Sequence, residues 1–267
     1  MSIITISRGT LSGGKLLAEC LSGRLGYRSI DRDVLVQRAA TPRVSQRELQ
    51  SALEQPPTFP GRFNHKRYIY LAMIQAALLE EVRTGRAIYH GLAGHLLLRG
   101  VPGLLRLRII APMEFRIRMA QDRLKLSASA AVRHIEKMDQ ERRQWTQFLY
   151  EIDWGDPAHY HLVINLEEIT IGQACLLVIS LLEQGGFELT PERQTVVNDL
   201  ALASRVRAEL AVNPFTSNLE VVVKASGGSV SVRGDLFEQS EEVQRVALAV
   251  PGVTELTVEE LAPASLA

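Results

Sequence analysis

The stretch Ile6–Leu17, "ISRGTLSGGKLL", constrains the fold more than any other part of the chain. It follows the apolar run Ile3–Ile6 and leads into a helical pattern, so its glycines stand at a strand-to-helix turn. The frame G-x-x-x-x-G-K is complete from Gly9 to Lys15. In such a turn backbone N–H groups converge on an anion, the helix dipole adds partial positive charge, and a lysine at the helix start reaches phosphate oxygens. A tight turn that merely favours glycine is the plainer reading, but here the frame runs full through the lysine. Gly9, Ser12, Gly13, Gly14 and Lys15 are therefore expected to hold a polyphosphate. The next residue, where a hydroxyl normally meets Mg²⁺, is Leu16. Ser12, or water held by an acidic side chain, is left to replace that hydroxyl.

Short, continuous apolar runs at Ile3–Ile6, Ala87–Tyr89, Leu105–Ile110 and His161–Ile164 suit strands covered on both faces. Helical patterns occupy Asn64–Arg83, Met113–Leu124, Ser129–Glu151 and Ile171–Gln184. The alternation predicts an α/β fold with a P-loop NTPase-type parallel sheet flanked by helices. The pattern changes after Gly185-Gly186. A helix over Thr195–Leu210, two strands around Gly227-Gly228, a helix near Ser240–Val250 and a last strand give an αββαβ order. That order predicts a first domain at 1–185, a linker at 186–194 and a small α+β domain at 195–262.

Thirty basic and thirty acidic residues leave no global field that would favour nucleic acid or an anionic membrane. No uninterrupted apolar stretch approaches the roughly twenty residues of a membrane span, and the N-terminus has no basic leader with an apolar core. A soluble, cytoplasmic protein is expected. Cys20 and Cys175 sit in no ligand-spaced cluster and read as reduced packing thiols.

Three separated stretches carry a resemblance: "IITISRGTLSGGKLLAECLSGRLGYRSIDRDVL", "RIIAPMEFRIRMAQDRL" and "IEKMDQERRQWTQFLYEIDWGDPAHYHLVINLEEITIGQA". In this order they resemble the cytidylate kinase-like family of nucleoside monophosphate kinases over residues 1–185. The resemblance implies ATP-dependent phosphoryl transfer, with Mg²⁺, to a nucleoside monophosphate such as CMP or dCMP. It implies phosphate binding by Gly9, Ser12, Gly13, Gly14 and Lys15, and acceptor binding by Asp31. It also implies that Arg116 and Arg123, seven apart on one helix, clamp the transferring group together with Arg142 and Arg143 of a lid, in which Asp139 and Arg142 bind the substrate. Plainer readings stay open beside these: Asp31 as the N-cap of the next helix, and Asp139 with Arg142 as an exposed i,i+3 ion pair. Arg118 points elsewhere on its helix and reads as solvated.

Departures from the family pattern are Leu16 and the stretch "YHGLAGHLLLRG", where Leu92 stands in place of an arginine expected to meet the acceptor. His90 and His95 in that stretch lie off any single helical face; they read as turn or helix-start residues, able to donate to a substrate phosphate, rather than as a metal pair. Residues 195–261 resemble a BON domain through "DLALASRVRAEL", "VSVRGDL" and "VPGVTEL", which implies binding to a protein or a lipid-like surface. An accessory domain packed on its neighbour is the plainer alternative. Two functions follow as expectations: a cytidylate kinase-like enzyme, or a nucleotide-binding regulator that has lost transfer and reports through its C-terminal module.

Overall fold

The computed structural model describes residues 1–54, 65–91, 93–236 and 238–260. Leu92 therefore lies outside the described residues, as does Asn64, where the first long helix was expected to begin.

Five strands, β1 (Ile3–Arg8), β2 (Arg28–Ile30), β3 (Ala87–Tyr89), β4 (Leu104–Ile110) and β5 (Leu162–Asn165), form one sheet in the order β2-β3-β1-β4-β5. Every neighbouring pair is parallel, as the apolar runs require. β1 lies at the centre, and Ile3, Ile4 and Ile6 are almost wholly buried. Successive side chains serve opposite faces. Ile3 joins a core with helices α2 (Arg32–Ala39), α4 (His65–Val82) and α5 (Gly94–Leu97). Ile4 and Ile6 join a second core with α1 (Gly14–Leu25) and α8 (Ile171–Glu183). Cys20 and Cys175 meet between those two helices, and burial together with its neighbour pushes the Cys175 thiol up to about 12.

Two strands differ from the sequence expectation for physical reasons. β2 is an edge strand with Arg28 and Ser29 exposed, so no apolar run marks it. β4 is not apolar on both faces: Arg106 and Arg108 alternate with the buried Leu105, Leu107 and Ile109. The Arg108 guanidinium lies 4.3 Å over the Trp154 ring and donates to Trp154 O at 2.7 Å, which offsets its burial beside the sheet. Helix α3 (Gln46–Glu54) follows α2, and α6 (Met113–Leu124) packs against the long α7 (Ala128–Tyr150).

The chain continues through α9 (Pro191–Val212), β6 (Val221–Ser226), β7 (Ser229–Gly234), α10 (Ser240–Leu248) and β8 (Glu255–Glu260). β6 and β7 are antiparallel, β7 and β8 parallel, in a separate three-stranded sheet. Gly234 is needed because a Cβ there would stand 2.5 Å from Glu220 O, a close backbone approach.

Helix α9 begins at Pro191, capped by Thr190, and not at Thr195. Its Val197 and Ala201 belong to the first core, whereas its Leu202, Val206 and Leu210 belong to a third core with β6, β7 and α10. A boundary at 194/195 would cut through this helix. The segment before it is tied down as well: Leu189 N donates to Met1 O at 2.6 Å, and Arg193 Nη1 donates to Gly186 O and Glu188 O.

Candidate phosphate and acceptor site

All five strands of the larger sheet run in one direction, so their carboxyl ends gather along one edge, where open α/β sheets carry their ligands. The Gly9–Lys15 loop leaves β1 at this edge. Its shape is held from inside. Ser12 is fully buried, and its hydroxyl donates toward Gly9 O at 3.0 Å and Ile109 O at 2.9 Å. Gly13 takes φ +91°, and a Cβ there would meet Leu166 Cδ1 at 2.6 Å; at Gly14 it would meet Arg8 Cδ at 2.7 Å. The glycines thus let β5's loop and the Arg8 stem close around the turn. Helix α1 starts at Gly14 with no side-chain cap on its first turn, whereas Ser127, Thr170 and Thr190 cap α7, α8 and α9. Its first N–H groups are therefore left without a side-chain acceptor, at the positive end of the dipole. Lys15 is exposed beside them.

Asp139, projecting from α7, fastens the other side of the loop. Its Oδ1 accepts from Thr10 N at 2.9 Å and Thr10 Oγ1 at 2.7 Å. Its Oδ2 pairs with Arg116 Nη2 from α6, and Arg142 Nη1 lies 3.6 Å from Oδ1. Arg116 Nε also donates to Thr10 O at 2.8 Å, and Arg142 Nη1 donates to Thr10 Oγ1 at 2.9 Å. The plain reading of Asp139 and Arg142 as an exposed pair is thus replaced by a half-buried hub on the loop. Cations outnumber the carboxylate here: burial, followed by the nearby Arg8, lowers Arg142 to about 10.

A cavity of about 260 Å³ opens beside the loop, above the first core. Arg8, Lys15, Asp31, Arg32 and Arg142 line one part of it, and His90, His95, Trp145 and Trp154 line it as well. Both open readings of Asp31 hold geometrically: it caps α2 by accepting from Val34 N at 3.0 Å, and it borders the cavity. Arg116 and Arg142 come together at the loop. Arg123 and Arg143 are exposed on α6 and α7 and do not line the cavity.

Arg8, Thr10 and the two tryptophans are the site residues to which sequence reasoning gave no such role; His90 and His95, expected as turn or helix-start residues able to donate to a substrate phosphate, line the cavity. The signal for Arg8 was its place between a buried strand and the glycine loop. His90 and His95 are 3% and 6% exposed. Among the described residues only His90 Nε2 finds a partner, Ser29 Oγ at 3.1 Å; His90 Nδ1 and both ring nitrogens of His95 find none there and are closed off from solvent. Burial first, then Arg8, lowers His90 to about 4, with Asp31 opposing and Lys15 adding to the shift. Burial first, then His159, Arg106 and Arg108, lowers His95 to about 3.

These shifts set an acid-stability prediction. From about pH 6.5 downward the unfolded chain takes up protons on both histidines while the folded chain does not, until about pH 4 for His90. Stability is full above that window and falls within it by about 1.4 kcal/mol per pH unit for each histidine. Urea unfolding near pH 5 should therefore show about 4 kcal/mol less stability from this source than near pH 7.5. Removing one imidazole with His95→Phe should flatten about half of the difference; an equally steep profile in the variant would assign the acid sensitivity elsewhere.

Ser12, the candidate for the hydroxyl missing at Leu16, is fully buried, with its hydroxyl against Gly9 O and Ile109 O at the end of β4. Among the described residues no cluster of three His, Cys, Asp or Glu is arranged to hold a metal.

A parallel five-stranded sheet with a glycine-lysine loop entering the first helix defines a P-loop kinase-like protein. The chain belongs to the cytidylate kinase-like family, whose sequence model matches residues 3–168. In fold it is similar to an uncharacterized protein from Eubacterium ventriosum, with a TM-score of 0.55, 16% identity, and coverage of 69% of this chain and 99% of that one. Shikimate kinase from Acinetobacter baumannii is similar at a TM-score of 0.40 and 13% identity, over 70% and 96% of the two chains. Thymidylate kinase from Candida albicans is similar at 0.41 and 13%, over 68% and 91%. No curated protein matches the chain. No helix among the described residues is long and apolar enough to cross a membrane.

Proposed function

We propose that the protein transfers a phosphoryl group from ATP to a nucleoside monophosphate of the CMP or dCMP type. The observation that carries this reading is the single cavity shared by Lys15, beside an uncapped helix terminus, and by Asp31, Arg8, Arg32 and Arg142 at the neighbouring strand ends. The ATP phosphates would lie on the first N–H groups of α1 with Lys15 reaching them, and Mg²⁺ would enter as part of the ATP·Mg²⁺ substrate. Arg8 and Arg142 supply positive charge between donor and acceptor, and Asp31 faces the acceptor. Little covalent help is needed in such a transfer, so positioning and charge stabilisation do most of the work. Arg123 and Arg143 are lid residues in this reading, reaching the phosphates when α6 and α7 close and exclude water. The αββαβ module is read as BON-like, contacting a protein or lipid surface.

The test mixes purified protein with ATP·Mg²⁺ and a panel of nucleoside monophosphates and follows ADP. Turnover with CMP or dCMP should fall by at least about a hundred-fold in Lys15→Ala, the scale seen when one preorganised charge donor is removed. A second reading, a nucleotide-binding regulator without transfer, is favoured by one observation: Arg116 is already held by Asp139 and Thr10 O. Flat ADP traces together with thermal stabilisation by ATP would select it.

A further inference from the structure

A second cavity, of about 450 Å³, opens between α4, α5, α7 and α9. That volume falls within the usual range of small-molecule sites, roughly 300–1,000 Å³, and such sites favour the space between packed helices. Three rings, Tyr68, Phe148 and Tyr150, line it together with Leu71 and Leu96. Phe148 is a large apolar side chain left 37% exposed.

The charge around this space is one-sided. Arg99 and Arg207 line the cavity, and no carboxylate does so among the described residues. The whole chain carries thirty bases and thirty acids, so the imbalance is local. Arg207 is half-buried. Its Nε donates to Tyr68 Oη at 2.9 Å, and its guanidinium carbon lies 4.6 Å from the centre of the Tyr68 ring. The side chain is thereby held in place without being neutralised. Arg99 is exposed, and no carboxylate pairs with it among the described residues. Gln75 also lines the cavity, with its Nε2 donating to Leu97 O at 3.0 Å. Burial pushes the Tyr150 hydroxyl up to about 12, with Arg207 opposing, so no phenolate balances the two cations near neutrality.

We infer that this cavity is a second ligand site, built for a small free aromatic acid whose ring lies among Tyr68, Phe148 and Tyr150 and whose anionic group is held by Arg99 and Arg207. Aromatic side chains offer a ring offset or edge-on contacts. Guanidinium groups are planar and weakly hydrated, and they grip carboxylate or phosphate oxygens two at a time. A basic ligand would be repelled here, and a purely apolar one would leave both arginines unanswered. The site is separate from the one already described, because the two cavities share no lining residue. They meet at one ring pair: Trp145 of the first and Tyr150 of the second have centroids 5.9 Å apart. The inference therefore stands or falls apart from phosphoryl transfer.

The test is calorimetric titration of 2-naphthoate into the full chain, beside its neutral amide, 2-naphthamide, and acetate. 2-Naphthoate should bind at least about ten-fold more tightly than 2-naphthamide, the factor expected of a hydrogen bond to a charged group. Acetate, which lacks the ring, should bind too weakly to measure. Arg99→Gln should remove most of the preference by weakening 2-naphthoate while leaving 2-naphthamide unchanged, and Arg99→Lys should restore part of it. Phe148→Ala should weaken both ring ligands alike. Both side chains are exposed, so the unliganded variants should melt with the wild type. Lys15→Ala should leave 2-naphthoate binding as it is. Equal affinities for 2-naphthoate and 2-naphthamide, or no measurable 2-naphthoate binding, would overturn the inference. So would 2-naphthoate binding that survives both Arg99→Gln and Phe148→Ala, or that is lost in Lys15→Ala.

Discussion

A fragment ending at residue 190 should fail to fold cooperatively, although it contains every strand of the larger sheet. Helix α9 is the reason. Val197 and Ala201 are 0% and 1% exposed and belong to the same core as Ile3, Leu78 and Val82. Leu200, Ala208 and Val212 add partly buried contacts to that core. Polar ties reinforce them: Gln194 Nε2 donates to Arg83 O at 2.7 Å, and Arg207 Nε donates to Tyr68 Oη at 2.9 Å. Uncovering even three or four such apolar side chains costs about 1.5–3 kcal/mol each, which approaches the whole stability of about 5–15 kcal/mol expected for a domain. A fragment ending at residue 212 keeps α9 and should unfold cooperatively. It should also self-associate, because Leu202, Val206 and Leu210 would then lose β6, β7 and α10. Circular dichroism melts of the two fragments, with light scattering, check both statements. A 1–190 fragment that melts like the full chain would make α9 a bystander and restore a boundary at the expected linker.

That helix also shows how far the sequence could be read. The glycine loop, the central strands and the αββαβ order are legible because each is written locally, in a frame, an apolar run or a turn. The dual use of α9 is not, since both of its faces are apolar and nothing in one helix says that two cores meet it. The site shows the same division. Lys15 and the loop glycines follow from spacing alone, and Asp31 was legible as both cap and cavity residue. His95, Trp145 and Trp154 lie on α5, on α7 and in the loop before β5, and only the sheet brings them to one wall. Helical spacing put Arg116 and Arg123 on one face, but not how far along α6 the loop would be met; Arg116 reaches Thr10 while Arg123 stays in solvent.

Asp139→Ala should be the most damaging single substitution near the loop, and its damage should be repaired by anions. The carboxylate is 19% exposed in its side chain, pairs with Arg116 and Arg142, and holds both donors of Thr10. Removing one partner of such a buried pair costs about 3–5 kcal/mol, because the remaining charge is left uncompensated. Here two guanidinium groups would remain, with burial first and then Arg8 already lowering Arg142, so a melting temperature lower by roughly 10 °C is expected. Asp139→Asn keeps one acceptor for Thr10 and loses the charge, so it should fall between the variant and the wild type. The same excess of positive charge predicts the repair. Inorganic phosphate or ATP, bound at the loop, would supply the missing negative charge and should raise the melting temperature of Asp139→Ala more than that of the wild type at equal concentration. Sodium chloride at matched ionic strength should not do so, since screening is weak for partly buried pairs. If phosphate and chloride act alike on the variant, Asp139 serves the fold of α7 and not the charge of the loop. If Asp139→Ala melts with the wild type, Thr10 and both arginines are held by other groups, and the hub is not what keeps the loop open for phosphate.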